Sequence, residues 1–378
     1  MPERGVLVHE WLSRTGGSEN VFDAMVGAFP EADLLCLWSD VPDRYPGRTL
    51  TETWLGRTPL RRNKAAAAPL VPATWRNRRP GGYDWALVSS HMFAHHVSFV
   101  DQPADFRKYV YVHSPARYLW NPELDARGRG ILPRLVAPAL RSVDRTRAQE
   151  AVSVAANSMF VRERVRSTWH RDAHVVYPPV DVRRISRTAR WADALDPSDA
   201  VVLASLPDQF LLGASRFVRY KRLDLVIEAG EIAGLPVVLA GAGPEEAALR
   251  DRAARASVPV HVLRGPTDSL LFALYQAALA FVFPAVEDFG IMPVEAMAAG
   301  TPVVVGPVGG ARESVEDGVT GAVAESTDPH ALAEAVERCA RLLPVDCVRR
   351  AEEFDADVFD RELRSWVSPV ASVEEPRA

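Results

Sequence analysis

A chain of 378 residues is longer than one ordinary domain and suits two domains of roughly 150–200 residues each. With 48% hydrophobic residues, 25% charged residues and a formal net charge of -5, it reads as a globular protein without the basic footprint of a nucleic-acid binder. Cys36, Cys339 and Cys347 form no C-x-x-C pair, and no apolar run reaches the roughly eighteen residues a spanning helix needs, so reduced thiols in a cytoplasmic protein are expected.

The first expected strand, Val6 to Val8, starts so early that a signal peptide has no room ahead of it. It leads through Gly16-Gly17 into a helical pattern from Glu19 to Phe29, the layout of a first βα unit at a ligand crevice. Two adjacent glycines let a ligand approach the backbone, although a plain helix-entry turn uses the same residues. Further strands are expected at Leu34–Trp38 and Trp85–Ser90. Between them, residues 57–82 hold Arg57, Arg61, Arg62, Lys64, Arg76, Arg78 and Arg79 among prolines. Such a run is either a solvated face or a patch for an anionic acceptor or membrane surface.

Lys108–Val112 reads as a strand ending in His113-Ser-Pro-Ala-Arg117-Tyr118-Leu-Trp120, and a His at the carboxyl end of a parallel strand faces the ligand crevice of an α/β protein. Residues 134–150 read as an Arg-rich helix, Ala151–Ala156 as a strand, and Asn157-Ser158 as the cap of a helix from Met159 to Trp169. A short strand, His174–Tyr177, precedes Pro178-Pro179, where a double proline ends the first domain. Domains are therefore expected at 1–180, joined by a C-terminal helix over about 355–368, and at 181–354; the tail after Ser368 is expected to be disordered.

Residues 182–208 look like a polar linker with a variable hairpin or helix. Strand Phe210–Ala214 opens a second set of βα units, and Arg216 and Lys221 gather positive charge at the junction with helix Leu223–Ala233, where a diphosphate could sit; surface salt bridges are the plainer account. Gly241-Ala-Gly243 lacks the third glycine of a dinucleotide fingerprint, which argues against NAD. Strand Val260–Leu263 ends in Arg264-Gly265, and Asp268 is expected to cap the next helix. Strand Ala280–Phe283 then runs into Glu287-Asp288-Phe289-Gly290-Ile291-Met292-Pro293-Val294-Glu295, with a helix beginning near Pro293 and ending at Gly300. Two carboxylates thus flank the N-terminus of a helix, a place suited to an anion, and are themselves suited to sugar hydroxyls. Helices are expected at 330–342, 346–354 and 357–367.

These residues resemble the retaining glycosyltransferases of family 4. The resemblance rests on Gly213-Ala-Ser-Arg216, Tyr220-Lys-Arg-Leu-Asp-Leu-Val-Ile-Glu228, Gly241-Ala-Gly-Pro-Glu245 and the two glutamates Glu287 and Glu295 with seven residues between them. His113-Ser-Pro-Ala-Arg-Tyr-Leu-Trp120, Ala156-Asn-Ser-Met-Phe160 and Tyr177-Pro-Pro-Val-Asp181 are most similar to bacterial GDP-mannose-dependent mannosyltransferases of surface-glycan synthesis. The resemblance implies a GT-B fold: α/β, two Rossmann-like domains facing an interdomain cleft, with the C-terminal helix packing back on the N-terminal domain. It implies that Arg216 and Lys221 neutralise the donor diphosphate together with backbone N–H groups near Phe289, Gly290 and Ile291. Glu295 would take the ribose hydroxyls, Glu287 the hydroxyls of the transferred sugar, and Arg264-Gly265 would line the base. His113 would stand by the reacting sugar, Gly17 would approach the phosphate, and Gly16, Arg117, Tyr118 and Trp120 would lie on the acceptor side. Asn121 after Trp120, and Gly-Gly-Ser-Glu in place of Gly-Gly-Ala-Glu, depart from the commoner family pattern and bear on the acceptor.

The implied partners are a nucleotide-sugar donor, GDP-mannose on the closest resemblance, and a glycan, lipid-linked or small-molecule hydroxyl; no cofactor and no nucleic acid are expected. No Asp-x-Asp stands near the motifs, since Asp355-Ala-Asp357 is far from them in sequence, so transfer is expected to need no metal. A cytoplasmic location, with peripheral contact at the inner face of the membrane left open, goes with that reading; the oligomeric state is not readable. A UDP-sugar donor, a sugar-nucleotide epimerase on the same fold and a non-catalytic sugar-nucleotide binder are the alternatives.

Overall fold

The computed structural model describes residues 3–14, 16–120 and 131–367, without the side chains of 131–136; Asn121 and the tail after Ser368 lie outside the described residues. The chain divides into two compact units, Met1–Pro179 with Asp357–Ala378, and Val180–Ala356. The expected boundaries lie one and two residues from these. The reason for the offset is local: Val180 forms a parallel bridge with Asp355, which ties both residues into the second unit.

The first unit is a seven-stranded parallel sheet. Its strands are β1 (Gly5–Leu12), β2 (Asp33–Ser39), β3 (Leu50–Glu52), β4 (Trp85–Ser90), β5 (Arg107–Val112), β6 (Ser153–Ala156) and β7 (His174–Val175), in the order β3-β2-β1-β4-β5-β6-β7. The central strands carry helices on both faces, so they are near-continuous runs of buried Val, Leu and Ala. β1 is longer than the apolar run Val6–Val8: it continues through His9, Glu10, Trp11 and Leu12, all buried. Register sets His9 beside Ser89 of β4, and Ser89 beside Tyr111 of β5, so His113, two residues beyond Tyr111, falls on the same face. The helix Met159–Trp169 starts where Ser158 Oγ accepts from the Val161 N–H and stops at His170 in the left-handed region. The final helix, Ala356–Val367, buries Phe359, Leu363 and Val367 in the core cluster that holds Leu7, Phe22, Leu87 and Val176.

In the basic stretch, Arg61 bonds Asp40, Arg76 bonds Glu150, Lys64 lies over the Trp11 ring and Arg78 donates to the Thr74 carbonyl. Arg57, Arg62 and Arg79 are exposed, as is Trp54. The run is therefore part tether and part solvated face.

The second unit is a six-stranded parallel sheet of β8 (Leu211–Ala214), β9 (Val237–Gly241), β10 (Val260–Arg264), β11 (Ala280–Phe283), β12 (Val303–Val305) and β13 (Gly321–Val323), in the order β10-β9-β8-β11-β12-β13. Residues 182–208 are not a linker. They form helices Val182–Ser186 and Pro197–Ala204 around Trp191, which is buried against Phe272 with ring centroids 4.9 Å apart. Helix Asp268–Ala277 is capped by Thr267, whose Oγ1 accepts from the Leu270 N–H at 3.1 Å, and not by Asp268, which is its first residue. No helix among the described residues is long and apolar enough to cross a membrane.

Candidate functional site

In the second unit, β8 ends at Ala214 and the chain turns through Ser215–Arg222 before helix Leu223–Ala233. That loop is held by close backbone approach. A Cβ on Gly241 would lie 1.8 Å from the Ser215 carbonyl oxygen, and one on Gly243 would lie 2.4 Å from that of Phe217. Phe217 N–H donates to the Ala242 carbonyl and Glu245 N–H donates to the Phe217 carbonyl. The Gly241-Ala-Gly243 pair therefore shapes the loop that carries Arg216 and Lys221, which accounts for glycines without a dinucleotide fingerprint.

Lys221 is buried, with Nζ 2.5 Å from Glu287 Oε1 and 5.3 Å from the centre of the Phe283 ring. Arg216 is exposed and donates to the Tyr220 hydroxyl at 3.0 Å. Glu287 sits three residues ahead of Gly290, the N-cap of helix Ile291–Ala298. This helix starts two residues before Pro293, because Gly290 takes a left-handed φ of 94° and turns the chain into it. Gly309 and Gly310 press against the same segment: Gly310 N–H donates to the Glu287 carbonyl at 2.8 Å. The N–H groups of Gly290, Ile291 and Met292 stand at the positive end of the helix, beside the Lys221–Glu287 pair. The Phe289 side chain is buried against Phe354, so only its backbone can serve a ligand.

Glu295 lies on the same helix, with the Tyr275 hydroxyl donating to its Oε2 at 3.5 Å. Burial, seconded by the charge of Asp268, raises its carboxyl from 4.5 to about 7. Arg264 is exposed and pairs with Glu246 at 3.3 Å, while Gly265 follows with φ 57° and donates to the Gly241 carbonyl. Of the expected residues in this unit, Arg216 and Lys221 share the loop after β8, Lys221 pairs with Glu287, and Gly290 and Glu295 belong to the N-cap and the body of helix Ile291–Ala298.

In the first unit the expected residues are distributed differently. His113 Nε2 shares the Ser89 hydroxyl at 2.8 Å with His9 Nδ1 at 3.0 Å. Burial, with the neighbouring His91 and His9 adding to it, holds His113 well below its ordinary 6.5, and burial sets His9 at about 4, so both rings are neutral. Glu10 Oε1 accepts from the backbone N–H groups of Met92 and Ala94, and Oε2 from that of His91. Burial pushes Glu10 up, but the imidazoles and these N–H groups outweigh it and hold the carboxyl below its usual range. Gly16 is the N-cap of helix Gly17–Ala28, and the Glu19 carboxylate lies against it, accepting from the Ser13 N–H and Ser18 hydroxyl. An acid of the chain already sits at the helix end that Gly16 and Gly17 were expected to open to a phosphate.

Trp120 is half-buried and donates its indole N–H to Asp144 Oδ2 at 2.8 Å, with Arg141 and Arg145 over its ring. Tyr118 packs edge-on to Phe93. The Trp120 bond, with Arg141 donating to the Leu119 carbonyl, holds the segment Arg117–Trp120 against helix Ile131–Ala148. Sequence reasoning missed His9, Glu10, Ser89 and His91. The signal was present: polar side chains at the carboxyl ends of two expected parallel strands.

Residues 198–345 match the family described as Glycosyl transferases group 1. The chain is 31% identical over 220 residues to the GDP-mannose-dependent alpha-(1-6)-phosphatidylinositol monomannoside mannosyltransferase of Mycolicibacterium smegmatis, a match covering 53% of this chain and 56% of that protein. It is 46% identical over 108 residues to the D-inositol 3-phosphate glycosyltransferase of Frankia alni, covering 26% of each. The chain thus spans about half, or less, of the curated relatives it matches. In structure it is similar to HepE of Anabaena, solved in complex with UDP, at TM-score 0.68 and 18% identity over 97% of this chain and 99% of that one. The second unit therefore carries a group 1 glycosyl transferase domain, and the chain's two parallel-sheet, Rossmann-like units have the architecture of the GT-B glycosyltransferases.

Proposed function

We propose that the chain is a retaining hexosyltransferase that moves mannose from GDP-mannose onto a hydroxyl acceptor, without a metal ion at the diphosphate. The observation that carries this reading is Lys221 held 2.5 Å from Glu287 beside the N-terminus of helix Ile291–Ala298, with Arg216 on the same loop as Lys221. Breaking the bond from sugar carbon to phosphate oxygen puts negative charge on the diphosphate and oxocarbenium character on the sugar. Lys221, Arg216 and the helix N–H groups supply fixed positive charge for the first, in the role a cation would otherwise have. Glu287 arrives already paired with a lysine, which suits a carboxylate that orients sugar hydroxyls better than one that attacks carbon. For retention the acceptor oxygen attacks the face the diphosphate leaves, and a phosphate oxygen takes the proton. Glu295 is the proposed partner of the ribose hydroxyls, and His113 the proposed sugar-side residue. The mannosyl donor rests on the resemblance and on the GDP-mannose dependence named for the M. smegmatis relative. The cytoplasmic face is the proposed location, with exposed Arg57, Arg62 and Trp54 as a surface for peripheral membrane contact.

A thermal-shift panel of GDP, UDP, ADP and dTDP tests the donor, because a bound nucleotide at about 100 times its Kd stabilises by about 2.7 kcal/mol. GDP is expected to raise the melting temperature and the others are not; a shift with UDP alone removes the mannosyl reading. Turnover of GDP-mannose is expected to be the same with and without added magnesium or manganese. Nucleotide binding without any sugar release would turn the assignment to a binder.

A further inference from the structure

Three side chains in the first unit that the proposed reaction does not use stand together, two from the second half of β1 and one from just after β4. His9, Glu10 and His91 each offer one ligand atom, and these atoms lie within 4.8 Å of one another. His9 is fully buried, its Nδ1 is spent on Ser89, and its Nε2 has no hydrogen-bond partner. His91 Nδ1 is buried as well; it stands 3.2 Å from Glu10 Oε2, yet without the alignment of a hydrogen bond. Two buried imidazole nitrogens without hydrogen bonds, on rings clustered with a buried carboxylate, are costly unless something accepts their lone pairs.

We propose that His9, Glu10 and His91 bind one divalent transition-metal ion of the zinc class in the first unit. Two imidazoles and one carboxylate are the donor set of an open tetrahedral zinc site, with the fourth position left to water. Nitrogen donors disfavour magnesium and calcium, which take oxygen. The outer contacts are those a metal ligand needs. Ser89 fixes the His9 ring, and three backbone N–H groups fix the Glu10 carboxylate. Glu19, which is also buried, adds a second negative charge to the same neighbourhood. The His91 side chain is 22% exposed, which gives the ion an entry. A metal on His9 Nε2 leaves the Nδ1 proton on the Ser89 oxygen. The single hydroxyl proton of Ser89 then points to His113 Nε2, so His113 keeps its own proton on Nδ1. The ion would thereby set the tautomer of His113.

A second trio, His95, His96 and Asp144, meets the same distance criterion but is closed. All three of its side chains are at most 1% exposed, so an ion has no way in, unlike at part-exposed His91.

The test is a titration of the untagged full chain with Co2+ and then Zn2+, read by the visible d–d absorption of cobalt and by calorimetry. The expected result is one Co2+ per chain, displaced by Zn2+ and not by excess Mg2+, with a Kd of about 1 µM or tighter at neutral pH. His91→Ala, at a part-exposed position, keeps the fold by circular dichroism and raises that Kd by roughly 100-fold, and Glu10→Gln does the same. No binding at about 50 µM metal, or unchanged binding in both variants, overturns the proposal. Because the readout is metal binding, it stands or falls apart from the glycosyl-transfer reading.

Discussion

Lys221 has the buried ammonium of the second unit's site, and its pairing with Glu287 keeps that charge at the helix end before any ligand arrives. On the proposed reading, replacing it removes leaving-group stabilisation as well as the ion pair with Glu287. Lys221→Ala is therefore expected to lower turnover of donor by roughly 100-fold or more, read as kcat from nucleoside diphosphate release. Wild-type kcat in that variant would sink the scheme. Glu295 gives a pH prediction. Its carboxyl is raised to about 7 in the fold, so the folded protein keeps a proton that the unfolded chain, at 4.5, releases. The stability from that proton is whole below about pH 4.5 and is lost as pH rises through 7. Between pH 5 and pH 8, wild type should lose roughly 2 kcal/mol more than Glu295→Gln in urea denaturation. Equal losses would mean Glu295 is ionised throughout. At this scale the sequence pointed through a motif to Arg216, Lys221, Glu287 and Glu295, and two of them, Lys221 and Glu287, meet in an ion pair. It was uninformative where function depends on which polar atoms meet across strands. Nothing in the order of residues says that the Ser89 hydroxyl lies between His9 and His113, because register does that.

The helix Ile291–Ala298 depends on what lies against its start as much as on its own residues. A Cβ at Gly310 would sit 1.9 Å from the Asp288 carbonyl oxygen, a backbone atom that cannot swing away. Gly310→Ala must push the 287–289 segment outward and break the bond from Gly310 N–H to the Glu287 carbonyl. The expected loss is about 2 kcal/mol of stability in denaturant, together with a weaker thermal shift on adding GDP. A variant as stable as wild type with an unchanged GDP shift would show that the glycine is there for another reason. Element ends were legible where capping chemistry is local. Helices Met159–Trp169 and Leu223–Ala233 begin and end as expected, the first on the Ser158 side chain and the second at Gly234 with φ 66°. Ends were not legible where tertiary burial decides them. β1 runs on to Leu12 because the strands beside it bury His9 and Glu10, which a periodicity reading takes as the end of an apolar run. Residues 182–208 looked like a linker for the converse reason: their order comes from partners distant in sequence, among them Phe272 on Trp191 and Gln276 on the Trp191 N–H and the Thr188 carbonyl.

At the scale of the whole chain, the second unit is continuous while the first is completed by a helix that follows the second in sequence. The two units should therefore respond differently to truncation. Helix Ala356–Val367 contributes Phe359, Leu363 and Val367 to the first unit, all at 6% exposure or less, and Trp366 donates its indole N–H to the Ser153 hydroxyl of β6. Burial of three such side chains contributes roughly 5 kcal/mol, comparable to the net stability of a domain. Removing residues 357–378 is expected to unfold the first unit, or lower its melting temperature by more than 10 °C, on the order set by the entropy of unfolding for that size. The segment 180–356 should still fold and melt cooperatively, because its sheet, its cores and the bridge of Val180 to Asp355 are all its own. Calorimetry on the truncated chain and on the 180–356 fragment separates the two outcomes. If the fragment also keeps the GDP-dependent shift, nucleotide binding belongs to the unit that carries Lys221, Glu287 and Glu295. If the shift needs the full chain, residues of the first unit take part in holding the donor, and His113 is the first to replace.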